Sequence, residues 1–555
     1  MKRLIFVLTL TLCLLLNLNA STLSGIKSFE SGAYPRGIII DDINSDGKND
    51  VIVANFGEDT LIGQENDVNP TSSISIFSGV NLTKETIVAG NSPRGLAAGD
   101  INGDGITDFV VSNYADGTIS VFVQKGKSLV LSDTIAVGKH PVGVAVYEGD
   151  VAVAVYSDSK LVILKNNLKD KIEIPLPGNP TDVIMGKINN QKIIVSANYS
   201  AGSISIFSEG KGATLEKLKD INVGGGVCKV EIADVTGDKV NDIITSNFYD
   251  NTISVIEYKS GNFTEPVNYK LAGQRPNGMA VGDVNGDGLC DVVVANRDSD
   301  SIDILIQKQG KLLLARTIKA TEDENKTYGP VEIAIGDVNG DGKKDIVFTH
   351  MRSNTIKVIY QEKPGMPKIT SITHPDENQW YANNSPIVNL QPEEDLTGID
   401  GFYYSVSKDN SFDINKAKYT NETQVKLENL ETGTYYFIAV AKDSAGNLSE
   451  KATFKLNITE EMNESNTYNY PNPCSNSTTI RFPLTQKQEV RIIISDINGK
   501  IIWNKVLGEA EVVAGVNYVI WNVVNDAGIS VANGVYICKV IIKDKVITKK
   551  IVVMK

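Results

Sequence analysis

Short apolar runs of two kinds recur along the chain. One kind is continuous, as in Val51-Ile-Val-Ala; the other alternates with polar residues at a period of two, as in Thr118-Ile-Ser-Val-Phe, Thr252-Ile-Ser-Val-Ile and Thr355-Ile-Lys-Val-Ile. A continuous β-branched run predicts a strand covered on both faces, and an alternating run predicts one with a solvated face. Turns rich in Gly, Asn and Asp separate the runs, and the series repeats about every fifty residues between positions 24 and 361. Each unit opens on an entry (Pro35-Arg-Gly, Pro93-Arg-Gly, Pro141-Val-Gly, Pro276-Asn-Gly), continues as an apolar strand, passes through a loop and returns as a second strand. The phase is fixed, with the second strand ending 13 residues after the first Asp of the loop: Asp42 to Asn55, Asp100 to Asn113, Asp234 to Asn247, Asp283 to Asn296 and Asp337 to His350. A third, alternating strand and a fourth follow, and four strands per unit predict a propeller blade.

Two units have lost the loop. Pro141 to Leu164 has a tight Glu148-Gly149-Asp150 hairpin instead, and Pro180 to Phe207 has Lys187-Ile-Asn-Asn-Gln. Entries near residues 35, 93, 141, 180, 226, 276 and 330 make seven units. The expected fold class is all-β: a seven-bladed β-propeller over residues 21–362, followed by two small β-sandwich domains over 366–459 and 466–555. The last unit ends at Tyr360 after three strands, and a spare strand, Ile26-Lys-Ser-Phe, precedes the first entry. Pairing the two would close the ring and leave no long edge.

The loops carry the candidate chemistry. Four read D-x-N-x-D-G-x-x-D: Asp42, Asn44, Asp46, Asp50; Asp100, Asn102, Asp104, Asp108; Asp283, Asn285, Asp287, Asp291; and Asp337, Asn339, Asp341, Asp345. With the main-chain carbonyls of Lys48, Ile106, Leu289 and Lys343 at position 7, each set offers the oxygen shell that Ca2+ requires. About four Ca2+ sites are expected. A fifth, weaker one has Asp234, Thr236, Asp238 and Asp242 but Lys239 in place of the Gly that allows the sharp turn. Position 12, where an EF-hand needs a bidentate Glu, is Val53, Val111, Val294 or Phe348, so the loops are not EF-hands.

These repeats resemble the FG-GAP or VCBS repeats of integrin-alpha-like propellers, with Pro-x-Gly in place of Phe-Gly-Gly-Ala-Pro. The resemblance implies calcium in blade hairpins, an extracellular location and adhesive or glycan-linked roles. After a linker at Gln361 to Pro367, the segment around Thr434-Tyr-Tyr-Phe-Ile-Ala-Val-Ala resembles the last hairpin of fibronectin type III or immunoglobulin-like modules. From Asn466 onward the charge changes sign, with 11 Lys or Arg against 6 Asp or Glu. There Tyr470-Pro-Asn-Pro, Gly534-Val-Tyr-Ile and a closing Lys549-Lys-Ile-Val-Val are similar to the C-terminal sorting domain of type IX secretion cargo. That resemblance implies the type IX machinery as a partner and a secreted or outer-surface location. A plain immunoglobulin-like module shares the strand pattern.

Composition narrows the function classes. With 54 Lys and Arg against 67 Asp and Glu, a formal net charge of −13, the chain is a poor match for nucleic acid or anionic membranes. Residues 1–20, with Lys2, Arg3 and an apolar stretch, read as a signal peptide, and no later run is long enough for a transmembrane helix. Cys228, Cys290, Cys474 and Cys538 are too few and too spread for a disulfide framework and read as free thiols. The three histidines, His140, His350 and His374, adjoin no recognisable nucleophile motif, so triad chemistry is not expected. Trp380, Tyr381, Tyr403 and Tyr404 could line a sugar site, with core packing the simpler reading. Arg36 and Arg94 at the entries, and the recurring Asn55, Asn113, Asn198, Asn247, Asn296 and His350, are candidate ligand-binding residues on the ring faces. For the Asn residues, hydrogen bonding to their own turns is simpler. The functional expectation is a monomeric, non-catalytic binding or adhesion module for a glycan or protein. The alternative is a calcium-dependent polysaccharide lyase.

Overall fold

The computed structural model describes residues 26–57, 71–79, 81–126, 128–210, 214–321, 329–361, 363–393, 398–443 and 446–555. The expected leader lies outside them. The chain divides near residue 362 into two compact units.

The first unit contains seven four-stranded antiparallel sheets among the described residues. Their first strands are Pro35–Asp41, Pro93–Gly99, Pro141–Tyr147, Pro180–Ile188, Val227–Ala233, Pro276–Gly282 and Pro330–Gly336, which define blades 1 to 7 in chain order. Each first strand packs beside that of the next blade, and Pro330–Gly336 packs beside Pro35–Asp41, so the cycle is closed. Blade 7 takes its fourth strand from the start of the unit: Lys27–Glu30 pairs antiparallel with Thr355–Ile359, in the register Phe29 to Ile356. The two ends of the repeat region are thus tied by main-chain hydrogen bonds, as the spare strand predicted.

Burial follows the hydrophobic pattern. The second strands, such as Asp50–Asn55, Asp108–Asn113 and Asp291–Asn296, are buried at every position, because sheets of neighbouring blades cover both faces. The fourth strand Thr83–Ile87 is almost wholly exposed. Each continuous apolar run therefore fills the space between two sheets, where one fully buried Val or Ile contributes about 1.5–3 kcal/mol. The first strands share an irregularity. All seven have a bulge or register shift just after the entry residue, as between Pro35 and Ile38 or Val227 and Lys229. Such a bulge redirects the side chains next to it.

The second unit holds two β-sandwiches. In the first, a three-stranded sheet (Lys368–Ser371, Ile387–Gln391, Gln424–Lys426) packs with a five-stranded one built around Gly433–Asp443 and Ile399–Ser407. Their shared core contains Val388, Leu390, Phe402, Phe437 and Leu456. In the second, Tyr468–Tyr470, Thr478–Leu484 and Gly515–Trp521 form one sheet, and Ile501–Leu507, Val490–Asp496, Gly534–Ile542 and Lys545–Val553 form the other. Trp521, with no exposed surface, is the largest side chain in that core. Trp380 adjoins Gly515, whose added Cβ would lie 3.4 Å from its ring, and Tyr404 stacks on Phe437 at 5.3 Å, so both are used in packing.

Candidate functional site

In blades 1, 2, 5, 6 and 7 the first strand runs from its entry to its acidic loop, so these loops gather on one face of the ring and the entries on the other. Within the loops the first Asp organises the turn. Asp100 accepts main-chain hydrogen bonds from Gly103 and Asp104 on Oδ1 and from Gly105 on Oδ2, at 2.7, 3.1 and 2.9 Å. Asp283 does the same toward Gly286, Asp287 and Gly288. The ninth-position residues Asp50, Asp108, Asp242, Asp291 and Asp345 have no exposed surface. Each accepts the amide of the second loop residue, as Asp291 does from Val284 at 3.2 Å. Burial pushes Asp291 and Asp242 up to about 7 and Asp345 to about 6. The fifth loop keeps this geometry. Lys239 takes φ +71° where Gly105 and Gly288 take +80° and +84°, and its amide donates to Asp234 Oδ2 at 2.7 Å.

Among the described residues no three His, Cys, Asp or Glu side chains converge closely enough to hold an ion by themselves. A loop ion would draw on the Asn or Thr oxygen at position 3 and on main-chain oxygen as well. The donor set fits this: all are hard oxygens, and Asn44 Oδ1 and Asp242 Oδ1 are buried with no hydrogen-bond partner. Unpaired buried oxygens are costly, and a coordinated cation would satisfy them.

The recurring asparagines face inward. Asn55 and Asn113 have no exposed surface. Asn113 Oδ1 accepts the amide of Gly90, which ends the preceding blade, at 3.1 Å. Its Nδ2 donates to Thr118 Oγ1 at 3.0 Å and Ser120 Oγ at 2.9 Å. Asn55, Asn198 and Asn247 make matching bonds to the Ser or Thr of the third strand, and Asn296 reaches Ser301 at 3.5 Å. The Thr-Ile-Ser motif of that strand exists to meet the Asn. His350 replaces it in blade 7, with Nε2 2.9 Å from Asp300 Oδ1 and Nδ1 2.8 Å from Ser353 Oγ. A Ser-His-Asp chain is thus present, yet His350 has no exposed surface and sits where the other blades have a structural Asn.

The entries converge on the axis. Their middle residues, Arg36, Arg94, Val142, Thr181, Cys228, Asn277 and Val331, all line one cavity of about 90 Å3. The third entry residue explains the glycines. A Cβ on Gly37 would lie 2.2 Å from the Arg94 carbonyl oxygen, and one on Gly95 would lie 2.1 Å from that of Val142. In blades 4, 5 and 7 the third position is instead Asp182, Lys229 and Glu332, and these meet in the same cavity. Lys229 Nζ lies 3.6 Å from Asp182 and 3.7 Å from Glu332. Glu231 follows two residues after Lys229. Sequence reasoning passed over this group, although its signal was present: these are the three entries that break the Gly rule.

Burial dominates the electrostatics here. It pushes Glu231 up to about 8 and Glu332 to about 7, against the opposing pull of Lys229, with Asp182 adding to the rise. Both acids ordinarily titrate near 4.5. The folded state therefore holds their protons longer than the unfolded chain. The stability this contributes is complete below about pH 4.5 and is lost as pH rises through 7 to 8. At saturating calcium, the melting temperature is expected to fall between pH 5 and 8.5, and Glu231→Gln is expected to flatten the fall. A slope unchanged in that variant would exclude Glu231 as its source.

All four cysteines of the described residues are unpaired. Arg94 packs over the ring of Tyr114, 5.4 Å from its centroid, and Tyr114 stacks on His140 at 4.3 Å. Arg36 packs over Phe56 at 5.1 Å. The entry face thus joins a mouth lined by three cations and two carboxylates to an aromatic rim.

Repeated four-stranded sheets in a closed cycle, followed by two sandwiches, define a β-propeller protein with appended β domains. Residues 42–111, 234–294 and 283–348 match the FG-GAP-like repeat, and residues 469–554 match the secretion system C-terminal sorting domain. The chain therefore carries FG-GAP-like repeats and a type IX sorting domain. None of the curated proteins compared matches it. Among solved structures it is similar to a catalytically inactive virginiamycin B lyase from Staphylococcus aureus with quinupristin: 14% identity, 60% of this chain and 98% of that one, TM-score 0.42. Hydrazine synthase from Kuenenia stuttgartiensis follows at 13% identity, 61% and 99% coverage and TM-score 0.42. The periplasmic gluconolactonase of Pseudomonas aeruginosa gives 14%, 51% and 85%, and TM-score 0.40. No helix among the described residues is long and apolar enough to cross a membrane.

Proposed function

We propose that this chain is an exported, calcium-stabilised β-propeller that binds a glycan or protein at the cell surface or in the medium without turning it over. On this reading the middle domain is an immunoglobulin- or fibronectin-like spacer, and the terminal domain addresses the protein to the type IX machinery. The observation that carries the reading is the axial mouth. A concave site that gathers Arg36, Arg94, Lys229, Asp182 and Glu332 and is rimmed by aromatic rings has the build of a ligand pocket, on a chain that bears a secretion sorting domain. The test is to pass a panel of polysaccharides and extracellular proteins over the immobilised full chain. Retention without new reducing ends or unsaturated product supports the binder, whereas turnover would make it an enzyme of the lyase kind.

The sorting role has its own check. Ending the chain before Asn466 removes a domain with a separate core, so the propeller is expected to fold but to stay in the periplasm. Cell fractionation reads this directly, and normal export of the truncated protein would refute the role.

A further inference from the structure

The entry face has a second level of detail that bears on what is bound. Among the described residues, the Tyr114 ring is packed on the Arg94 guanidinium, and no carboxylate comes within ion-pair distance of it. Asp182 and Glu332 line the same cavity, but both flank Lys229, at 3.6 and 3.7 Å, and Glu332 acts on Arg94 only from beyond ion-pair distance. A guanidinium that no carboxylate pairs directly is a ready receptor for an anion from outside, because its planar fork suits bidentate oxygen anions. Arg36 lines the same cavity, with the Thr181 and Asn277 side chains on the wall. At about 90 Å3 the cavity takes a single anionic group rather than a whole sugar ring. The body of the ligand must then lie on the rim. There Tyr114 and His140 stack 12° from parallel, and each is partly exposed. Flat rings edged by a hydroxyl and an imidazole suit the C–H face and hydroxyls of a pyranose.

We propose that the axial mouth binds an anionic saccharide, its carboxylate or sulfate group held by Arg94 and Arg36 and its ring laid against the outer face of His140, which Tyr114 backs. This names the ligand class of the binding module proposed above and rests on that reading.

The test is affinity electrophoresis and titration calorimetry of the full chain with four polymers: polygalacturonate, carrageenan, carboxyl-reduced polygalacturonate and poly-glutamate. Binding is expected to polygalacturonate, which carries carboxylate alone, or to carrageenan, which carries sulfate alone, and the pair separates the two sources. It should be lost on carboxyl reduction and weakened by added NaCl. Arg94→Gln is expected to weaken it at least about tenfold, the scale of a charge-assisted hydrogen bond, and Tyr114→Ala several-fold. If Arg94→Gln lowers the melting temperature, Arg94→Lys keeps the charge but not the fork and should bind with intermediate affinity.

Undiminished affinity in a folded Arg94→Gln protein would overturn the assignment. So would equal binding of the carboxyl-reduced polymer, equal binding of poly-glutamate, or no binding to either acidic polysaccharide. Retention of a neutral glycan or a protein that the Arg94 variants leave unchanged would remove the mouth assignment yet keep the binding-module reading. Turnover of any polymer would remove the reading itself.

Discussion

Alanine at Gly95 is expected to destabilise the ring by about 3 kcal/mol or more, at the upper end of what overpacking costs. The added Cβ would sit 2.1 Å from the carbonyl oxygen of Val142 in the next blade, and a backbone atom cannot swing aside as a side chain would. That carbonyl is also the acceptor of Ser112 Oγ at 2.7 Å, and Ser112 in turn accepts the amide of Gly95 at 2.8 Å. Pushing blades 2 and 3 apart would break this relay and open the mouth beside Arg94. Gly186 provides the control: its Cβ would meet Ile232 no closer than 3.5 Å, an ordinary contact, so Gly186→Ala should be near neutral. Urea melts of the three proteins in calcium read the difference. Equal midpoints for Gly95→Ala and the parent would mean that the close approach of the first strands does not hold the ring.

Much of this architecture is visible in the sequence because a propeller writes its geometry in period and phase. The fifty-residue repeat, the buried second strands and the spare strand before Pro35 all reappear as expected. The reason is that each reports a local need: β-branched residues between two sheets, a turn every few residues, a partner for an unpaired edge. What the sequence hid depends on contacts between blades. Asp182, Lys229 and Glu332 look like decayed entries until the ring brings them to one axis, 47 and 103 residues apart along the chain from Lys229. The asparagines looked like turn formers or ligands, and the chain fixes their role only when Gly90 of one blade meets Asn113 of the next. His350 was read alone because Asp300 lies 50 residues away, in the turn between the second and third strands of blade 6. Lys239 was read as a lesion in its loop, yet the backbone takes the left-handed turn without glycine. A non-glycine residue there costs on the order of 1 kcal/mol, which the surrounding hydrogen bonds absorb.

Removing calcium is expected to have the largest effect on stability. If the four intact loops each bind an ion at a free concentration about a hundredfold above its dissociation constant, each contributes about 2.7 kcal/mol. Together they amount to on the order of 10 kcal/mol, and excess chelator should lower the melting temperature by on the order of 10 °C. The chelated protein should remain folded, because the loops hold much of their shape through their own amides: Asp100 and Asp283 each accept three. A bound ion would add relief of repulsion among carboxylates confined to nine residues, one of them fully buried at the base of each hairpin. Asp287→Ala removes the central ligand of one loop only. It should therefore reproduce roughly a quarter of the drop in calcium and shift little further on chelation at that loop. Scanning calorimetry of parent and variant, with calcium and with chelator, separates these contributions. Superimposable curves for the parent in the two conditions would end the proposal that the loops are cation cages, and would leave their conserved geometry to the amide network alone.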